Sequence, residues 1–127
     1  MTQERVLTVL SGSLAICRLD PQAELPPWAQ RGAFRAMTRT ATELSVVCPE
    51  EGVPPEVVCE RGWRCLEVQG PLDLTLTGVL AALAGALAEA GVSLFAVSTY
   101  DTDYLLVRQK DLDRAAAALR AAGHTVR

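Results

Sequence analysis

In "GPLDLTLTGVLAALAGALAEAGVSLFAVSTYDTDYLLV" (residues 70–107) the apolar residues change their period partway along. From Leu76, residues Val79, Leu80, Leu83, Leu87 and Ala90 recur at helical spacing. Asp73 and Thr75 are the candidate N-caps, and Gly91 is the expected stop. Beyond Gly91 the pattern is that of two strands, "VSLFAVST" (92–99) and "YLLVRQ" (104–109). A polar knot, Ser98-Thr99-Tyr100-Asp101-Thr102-Asp103, separates them. It turns the chain without a glycine and holds two carboxylates.

Outward from this stretch the same logic continues. Upstream, "GWRCLEVQG" (62–70) alternates as a strand. Downstream, Asp111 is placed to cap a second helix, with Leu112, Ala115, Ala116, Leu119 and Ala122 as its stripe and Gly123 as its end. "HTVR" then closes as a short strand. Residues 62–127 therefore spell β-α-β-β-α-β, the ferredoxin-like order of an α+β fold. Two helices are expected to cover one face of a four-stranded antiparallel sheet.

The first half reads as a partial copy. "VLTVLSGSLAICRL" (6–19) is a strand with a bend at Ser11-Gly12, or two short strands. "ELPPWAQ" leaves room for one helical turn at most. "FRAMTRT" (34–40) and "ELSVVCPE" (43–50) form a hairpin turning near Ala41-Thr42. A shift of sixty positions lays "TRTATELSVVC" (38–48) on "STYDTDYLLVR" (98–108), which sets Glu43 on Asp103. Residues 1–61 are thus read as a first unit with reduced helices, and residues 62–127 as the second.

The totals narrow the function. The chain has 127 residues, of which 50% are hydrophobic, and a net charge of −3. A core fits, and the acidic balance argues against a nucleic-acid binder. Met1-Thr2-Gln3-Glu4-Arg5 leads into a strand rather than an apolar leader. The uncharged run Leu74–Ala88 is shorter than the roughly 18 apolar residues of a membrane span. A cytoplasmic protein without membrane contact is expected. Cys17, Cys48, Cys59 and Cys65 make no CxxC pair and read as buried free thiols, so no metal is expected. His124, the one histidine, is expected to be exposed and inert. No phosphate-cradling motif is present, and no cofactor is implied. The first helix carries Thr77, Gly78, Ala81, Ala82, Gly85 and Ala88 on its far side. So bland a face suggests cover from the other unit or from a second copy, as in a homodimer.

One place could hold a ligand. "GPLDLTLTG" (70–78) ends a strand and opens a helix, and in a βαβ arrangement it should approach Ser98-Thr99. Free N–H groups at a helix start suit a carboxylate. Asp101 and Asp103 suit an ammonium. Together they complement a zwitterion, of which a free α-amino acid is the simplest. The plainer reading is a turn whose Asp and Thr satisfy their own backbone.

These residues resemble the ACT domain of the CASTOR-type group, the small bacterial tandem-ACT proteins and the arginine sensors of animals. The resemblance rests on the 70–107 stretch and on "SGSLAICRL", "RTATELSVVCPE" and "ERGWRCLEVQG" upstream. It implies two tandem ACT-like units, side-by-side sheets, and regulatory binding of small ligands, usually amino acids. In the animal sensors the ligand sits between two ACT units. Their motif residues match Ser98, Thr99, Tyr100 and Asp103 here, and their helix-entry loop matches Leu76, Thr77 and Gly78. Two departures stand out. The animal sensors have an acidic residue where this chain has Leu76, which puts arginine in doubt. They also carry four ACT units per chain, a number that two copies of this chain would supply.

The expected function is therefore a non-enzymatic module that binds a small molecule, an amino acid, at Leu76, Thr77, Gly78, Ser98, Thr99, Tyr100, Asp101 and Asp103. The alternative is a protein–protein interaction subunit that pairs through its sheets and binds no small ligand. A small enzyme using Asp101 and Asp103 would need a cofactor or base that the sequence does not show.

Overall fold

The computed structural model describes residues 3–127; Met1 and Thr2, where the leader reading begins, lie outside the described residues. In chain order the elements are β1 (Val6–Val9), β2 (Leu14–Leu19), β3 (Ala36–Arg39), β4 (Leu44–Pro49), β5 (Cys59–Val68), α1 (Val79–Glu89), β6 (Phe95–Ser98), β7 (Asp103–Arg108), α2 (Leu112–Ala121) and β8 (Thr125–Val126). Single 3-10 turns lie at Pro27–Gln30, Glu50–Gly52 and Gln109–Asp111. The chain forms two compact units. One is Gly12–Trp63; the other is Arg64–Arg127 together with the segment that ends at Ser11.

The first unit is nearly all strand. Its strands run in the order β3-β4-β2-β5, with only the first half of β5 taking part. This is the ferredoxin-like order with a 3-10 turn in each helix position. Pro26 and Pro27 stand at the start of the first turn, where no N–H is needed, and the chain leaves helical geometry at its end, with Arg31 extended and Gly32 at φ +93. Cys17, Leu44, Val46, Cys48 and Val53 fill its core. Alternation along β2 and β4 sends these side chains to one face.

The second unit carries both helices. Its strand order is β6-β7-β5-β1-β8. The sequence reading gave residues 62–127 a four-stranded antiparallel sheet of their own. Instead β1 enters between the second half of β5 and β8. It pairs antiparallel with β5 (Leu7 opposite Val68) and parallel with β8 (Leu7 opposite Val126). The sheet is therefore mixed. Leu7, fully buried, joins Leu66, Leu83, Leu87, Leu105 and Leu119 in the core. The helical stripe was read correctly at Leu83 and Leu87, and Gly91 and Gly123 follow the last turns of α1 and α2. Asp111 does sit at the start of α2, but its side chain makes no cap. Its carboxylate accepts from the Arg114 guanidinium at 2.7 Å instead.

The two hairpins share a construction. Thr40 N–H donates to the Glu43 carbonyl at 2.9 Å, and Thr99 N–H donates to the Thr102 carbonyl at 2.8 Å. In each, the threonine hydroxyl also accepts from the N–H across the turn, from Glu43 at 3.2 Å and from Thr102 at 3.3 Å. Thr40 thus corresponds to Thr99, an offset of 99 − 40 = 59 rather than sixty. With this offset Glu43 matches Thr102, and Asp103 finds the buried Leu44 opposite it. The first unit's hairpin has no equivalent of the Asp103 carboxylate.

Candidate functional site

The loop after β5 is bonded to the β6–β7 turn. Leu72 N–H donates to the Asp101 carbonyl at 2.6 Å. The buried Thr102 hydroxyl donates to the Val68 carbonyl, also at 2.6 Å. Gly70 makes this approach possible. A Cβ there would lie 3.0 Å from the Asp101 carbonyl oxygen and 3.1 Å from the Thr102 Cβ. The sequence reading set this loop beside Ser98-Thr99 and ended the strand at Gly70, but it named none of Gly70, Leu72 and Thr102 among the site residues. The one available signal was Gly70, because a glycine at a strand end often marks close backbone approach.

The turn needs no glycine, because neither Tyr100 nor Asp101 takes a positive φ. Thr99 holds it from both sides, donating its hydroxyl to the Thr102 carbonyl at 3.1 Å and accepting from the Thr102 N–H. Ser98 and Asp103 are paired residues at the root of the hairpin. Tyr100 is 81% exposed at its tip.

The helix entry differs from expectation. Asp73 and Thr75 do not cap α1. The Asp73 carboxylate accepts from the Thr75 N–H at 2.8 Å and from the Thr75 hydroxyl at 2.7 Å. These two bonds, the backbone one first, hold the Asp73 carboxyl below the ordinary aspartate range. They close a local turn, a competing use of Asp and Thr near helix starts. The helix begins three residues later than the spacing suggested, at Val79 rather than Leu76. Gly78 occupies the cap position at φ +80, with no side-chain cap bond. The first bond inside the helix is Ala82 N–H to the Gly78 carbonyl, at 2.9 Å. Val79, Leu80 and Ala81 N–H groups consequently have no acceptor within the helix.

Loop, turn and helix start enclose a cleft of about 270 Å³. Leu76, Gly78, Ser98, Thr99, Tyr100, Asp101 and Asp103 line it, together with the first turn of α1. Thr77 does not. It lines a neighbouring cleft with Arg5, Ala82 and His124. Among the described residues, the walls of the first cleft carry the carboxylates of Asp73, Asp101 and Asp103 and no basic side chain. The helix start adds a positive pole to it. Leu72, Leu76 and Leu80 supply an apolar wall. Among the described residues, no group of three or more His, Cys, Asp or Glu side chains is placed to hold a metal ion.

His124 is 5% exposed, so the expectation of an exposed histidine is corrected. Its Nδ1 accepts from the Arg5 N–H at 3.0 Å, which puts the proton of the neutral ring on Nε2. That bond ties the start of β8 to the start of β1. No helix among the described residues is long and apolar enough to cross a membrane.

A two-unit α+β chain, with a cleft formed by the β5–α1 loop and the β6–β7 turn, has the architecture of an ACT-domain protein. The ACT domain model matches residues 58–121, and the chain belongs to that family. A second model, of an N-terminal domain, matches residues 12–56. The chain is similar over 99% of its length to protein Atu0741 from Agobacterium tumefaciens, with 39% identity, a TM-score of 0.94 and 94% of that chain covered. The human cytosolic arginine sensor for mTORC1 subunit 1 is 32% identical over 97 residues. That match takes in 68% of this chain and 30% of the sensor, so the chain spans about a third of the curated relatives it matches. The regulatory subunit of aspartate kinase from Thermus thermophilus shares the fold, with 14% identity, a TM-score of 0.60, and 92% of this chain and 96% of that one covered.

Proposed function

We propose that the chain is a regulatory module without catalysis of its own, and that it binds a free amino acid in the cleft between the β5–α1 loop and the β6–β7 turn. The observation that carries this reading is that the uncapped start of α1 and the carboxylates of Asp101 and Asp103 line one cleft. The ligand carboxylate meets N–H groups between Gly78 and Ala81. Its ammonium meets Asp103, with Asp101 and the Ser98 hydroxyl assisting. Each contact is a charge-assisted hydrogen bond. At about 270 Å³ the cleft falls just below the usual range of ligand pockets, which begins at about 300 Å³, and suits a ligand as small as an amino acid. Leu72, Leu76 and Leu80 favour a neutral, apolar ligand side chain over the guanidinium that the animal sensor's name specifies.

A thermal-shift screen against the twenty amino acids tests the reading. A ligand at about a hundred times its Kd adds about 2.7 kcal/mol, which amounts to several degrees in a domain of this size. Selective hits that vanish in a folded Asp103→Ala protein support it. Affinity retained in that variant overturns the assignment of Asp103.

A second reading takes its support from α1. Ala81, Gly85 and Ala88 are exposed along one side of the helix. We propose this side as the contact for a second copy in the cytoplasm, which would bring four ACT-like units together. If the amino-acid screen is silent while a charge at Gly85 or Ala88 splits a dimer, the interaction role stands without the ligand.

A further inference from the structure

The first unit places three of the four cysteines in one core. Cys17 and Cys48 are buried, and Cys59 is partly open to solvent. Cys17 on β2 and Cys59 on β5 are directly opposite in antiparallel register. The next pair along, Arg18 and Val58, is hydrogen-bonded, Arg18 N–H to the Val58 carbonyl at 2.9 Å. Cys17 and Cys59 therefore occupy the close, non-hydrogen-bonded kind of site, where Cα atoms stand about 4.5 Å apart. That distance lies within the range disulfides span, about 4.4 to 6.8 Å. Both side chains point to the same face, since Cys59 packs against the cluster that contains Cys17.

Cys48 is the competing partner. It stands opposite Ala15, one diagonal step from Cys17. Diagonal neighbours are about 7 to 8 Å apart, beyond what a disulfide bridges without backbone movement. As thiols, Cys17 and Cys48 share a hydrogen bond that raises the Cys17 pKa, with burial adding to the rise, and lowers that of Cys48. Cys65, in the other unit, is buried and pushed up to about 12, chiefly by burial and then by the Glu67 charge. It is the unreactive reference.

We propose that Cys17 and Cys59 form an oxidation site, in which hydrogen peroxide or an organic hydroperoxide converts the facing thiols to a cross-strand disulfide. Cys59 reacts first because solvent reaches it. Its sulfur attacks the peroxide, an S–O bond forms, the O–O bond breaks, and water (or alcohol) leaves. The Cys17 sulfur then attacks the Cys59 sulfenic acid. The S–S bond forms, the S–O bond breaks, and the hydroxyl departs as water with the Cys17 proton. The two sulfurs have lost two electrons and the peroxide has gained them. The product pins β2 to β5 in the first unit.

The test treats the whole chain with hydrogen peroxide, then maps peptides without reduction. The expected result is an intramolecular Cys17–Cys59 crosslink, a mass lower by two hydrogens, and reversal by dithiothreitol. Cys48→Ala should keep the crosslink, and Cys59→Ser should abolish it. The proposal is overturned if Cys59 proceeds to sulfinic acid with no crosslink, if Cys17 links to Cys48, or if the protein resists oxidation altogether. The wild-type map decides the matter by itself should a variant fail to fold.

Discussion

Ser98 and Asp103 face each other at the root of the β6–β7 hairpin, and the Ser98 hydroxyl donates to the Asp103 carboxylate at 2.6 Å. This bond holds one carboxylate oxygen, and the proposed ligand would meet the other. Ser98→Ala should weaken amino-acid binding by less than Asp103→Ala, because it frees the carboxylate without removing it. Ser98 is exposed, so its loss should cost the fold less than about 1 kcal/mol. Isothermal titration of the two variants orders them; equal losses contradict this division of labour.

Thr102→Val removes the only donor in its side chain and leaves the Val68 carbonyl without that bond, in a buried position. A loss of about 1–3 kcal/mol in chemical denaturation is expected. Thr40→Val, at the matching exposed turn of the first unit, should cost less. The reverse ranking would mean that the loop is held elsewhere.

Gly70 and Gly78 should respond to alanine for different reasons. At Gly70 the new Cβ meets backbone at 3.0 Å, so the loop must move off the turn. At Gly78 nothing lies within 4 Å, and the penalty comes from φ +80 alone, about 1–2 kcal/mol. Gly70→Ala should therefore disturb the amide resonances of both Leu72 and Asp101, and Gly78→Ala should leave them in place.

The Asp73 carboxyl should titrate below the ordinary aspartate value in a carbon-detected NMR titration. Its folded pKa is depressed, so its contribution to stability is full above the unfolded value and is lost as pH falls through the folded one. Thr75→Val removes the hydroxyl bond and should raise the midpoint. An unchanged midpoint would leave the backbone N–H as the whole cause.

Glu43→Ala should change neither ligand affinity nor stability appreciably, because Glu43 corresponds to Thr102 and not to Asp103. A drop in affinity would restore the acidic equivalence that an offset of sixty suggests.

The sequence disclosed what depends on neighbours along the chain. Helical spacing from Leu83 to Leu87, the hairpins at Ala41-Thr42 and Tyr100-Asp101, and the stops at Gly91 and Gly123 are local patterns. Local competition was harder to read. Asp73 and Thr75 fit a helix cap and a turn equally well by composition, and only the bonds choose between them. The one-residue error in the repeat arose because threonine, serine and acidic residues recur in both turns, so letters matched one step out of register. The place of β1 had no local signal at all. Its partners, β5 and β8, lie about 60 and 119 residues away along the chain, out of reach of any local pattern. The cleft was legible in most of its lining; Thr77, which lines the neighbouring cleft instead, had no signal to set it apart from Leu76 and Gly78.

The position of β1 has a consequence for synthesis. Arg5 and His124, joined by a hydrogen bond, are 119 residues apart in sequence. The strands of the first unit all come from residues 14–63 and can pair while the remainder is still being translated. In the second unit β1 can pair with β5 as soon as β5 has been made, but its other edge stays open until β8 leaves the ribosome. Contacts this distant slow folding, and an unpaired strand held open meanwhile is a place where nascent chains can stick. A ribosome stalled a few codons before residue 125 would therefore carry a finished first unit and an unfinished sheet edge, the form that a chaperone would meet.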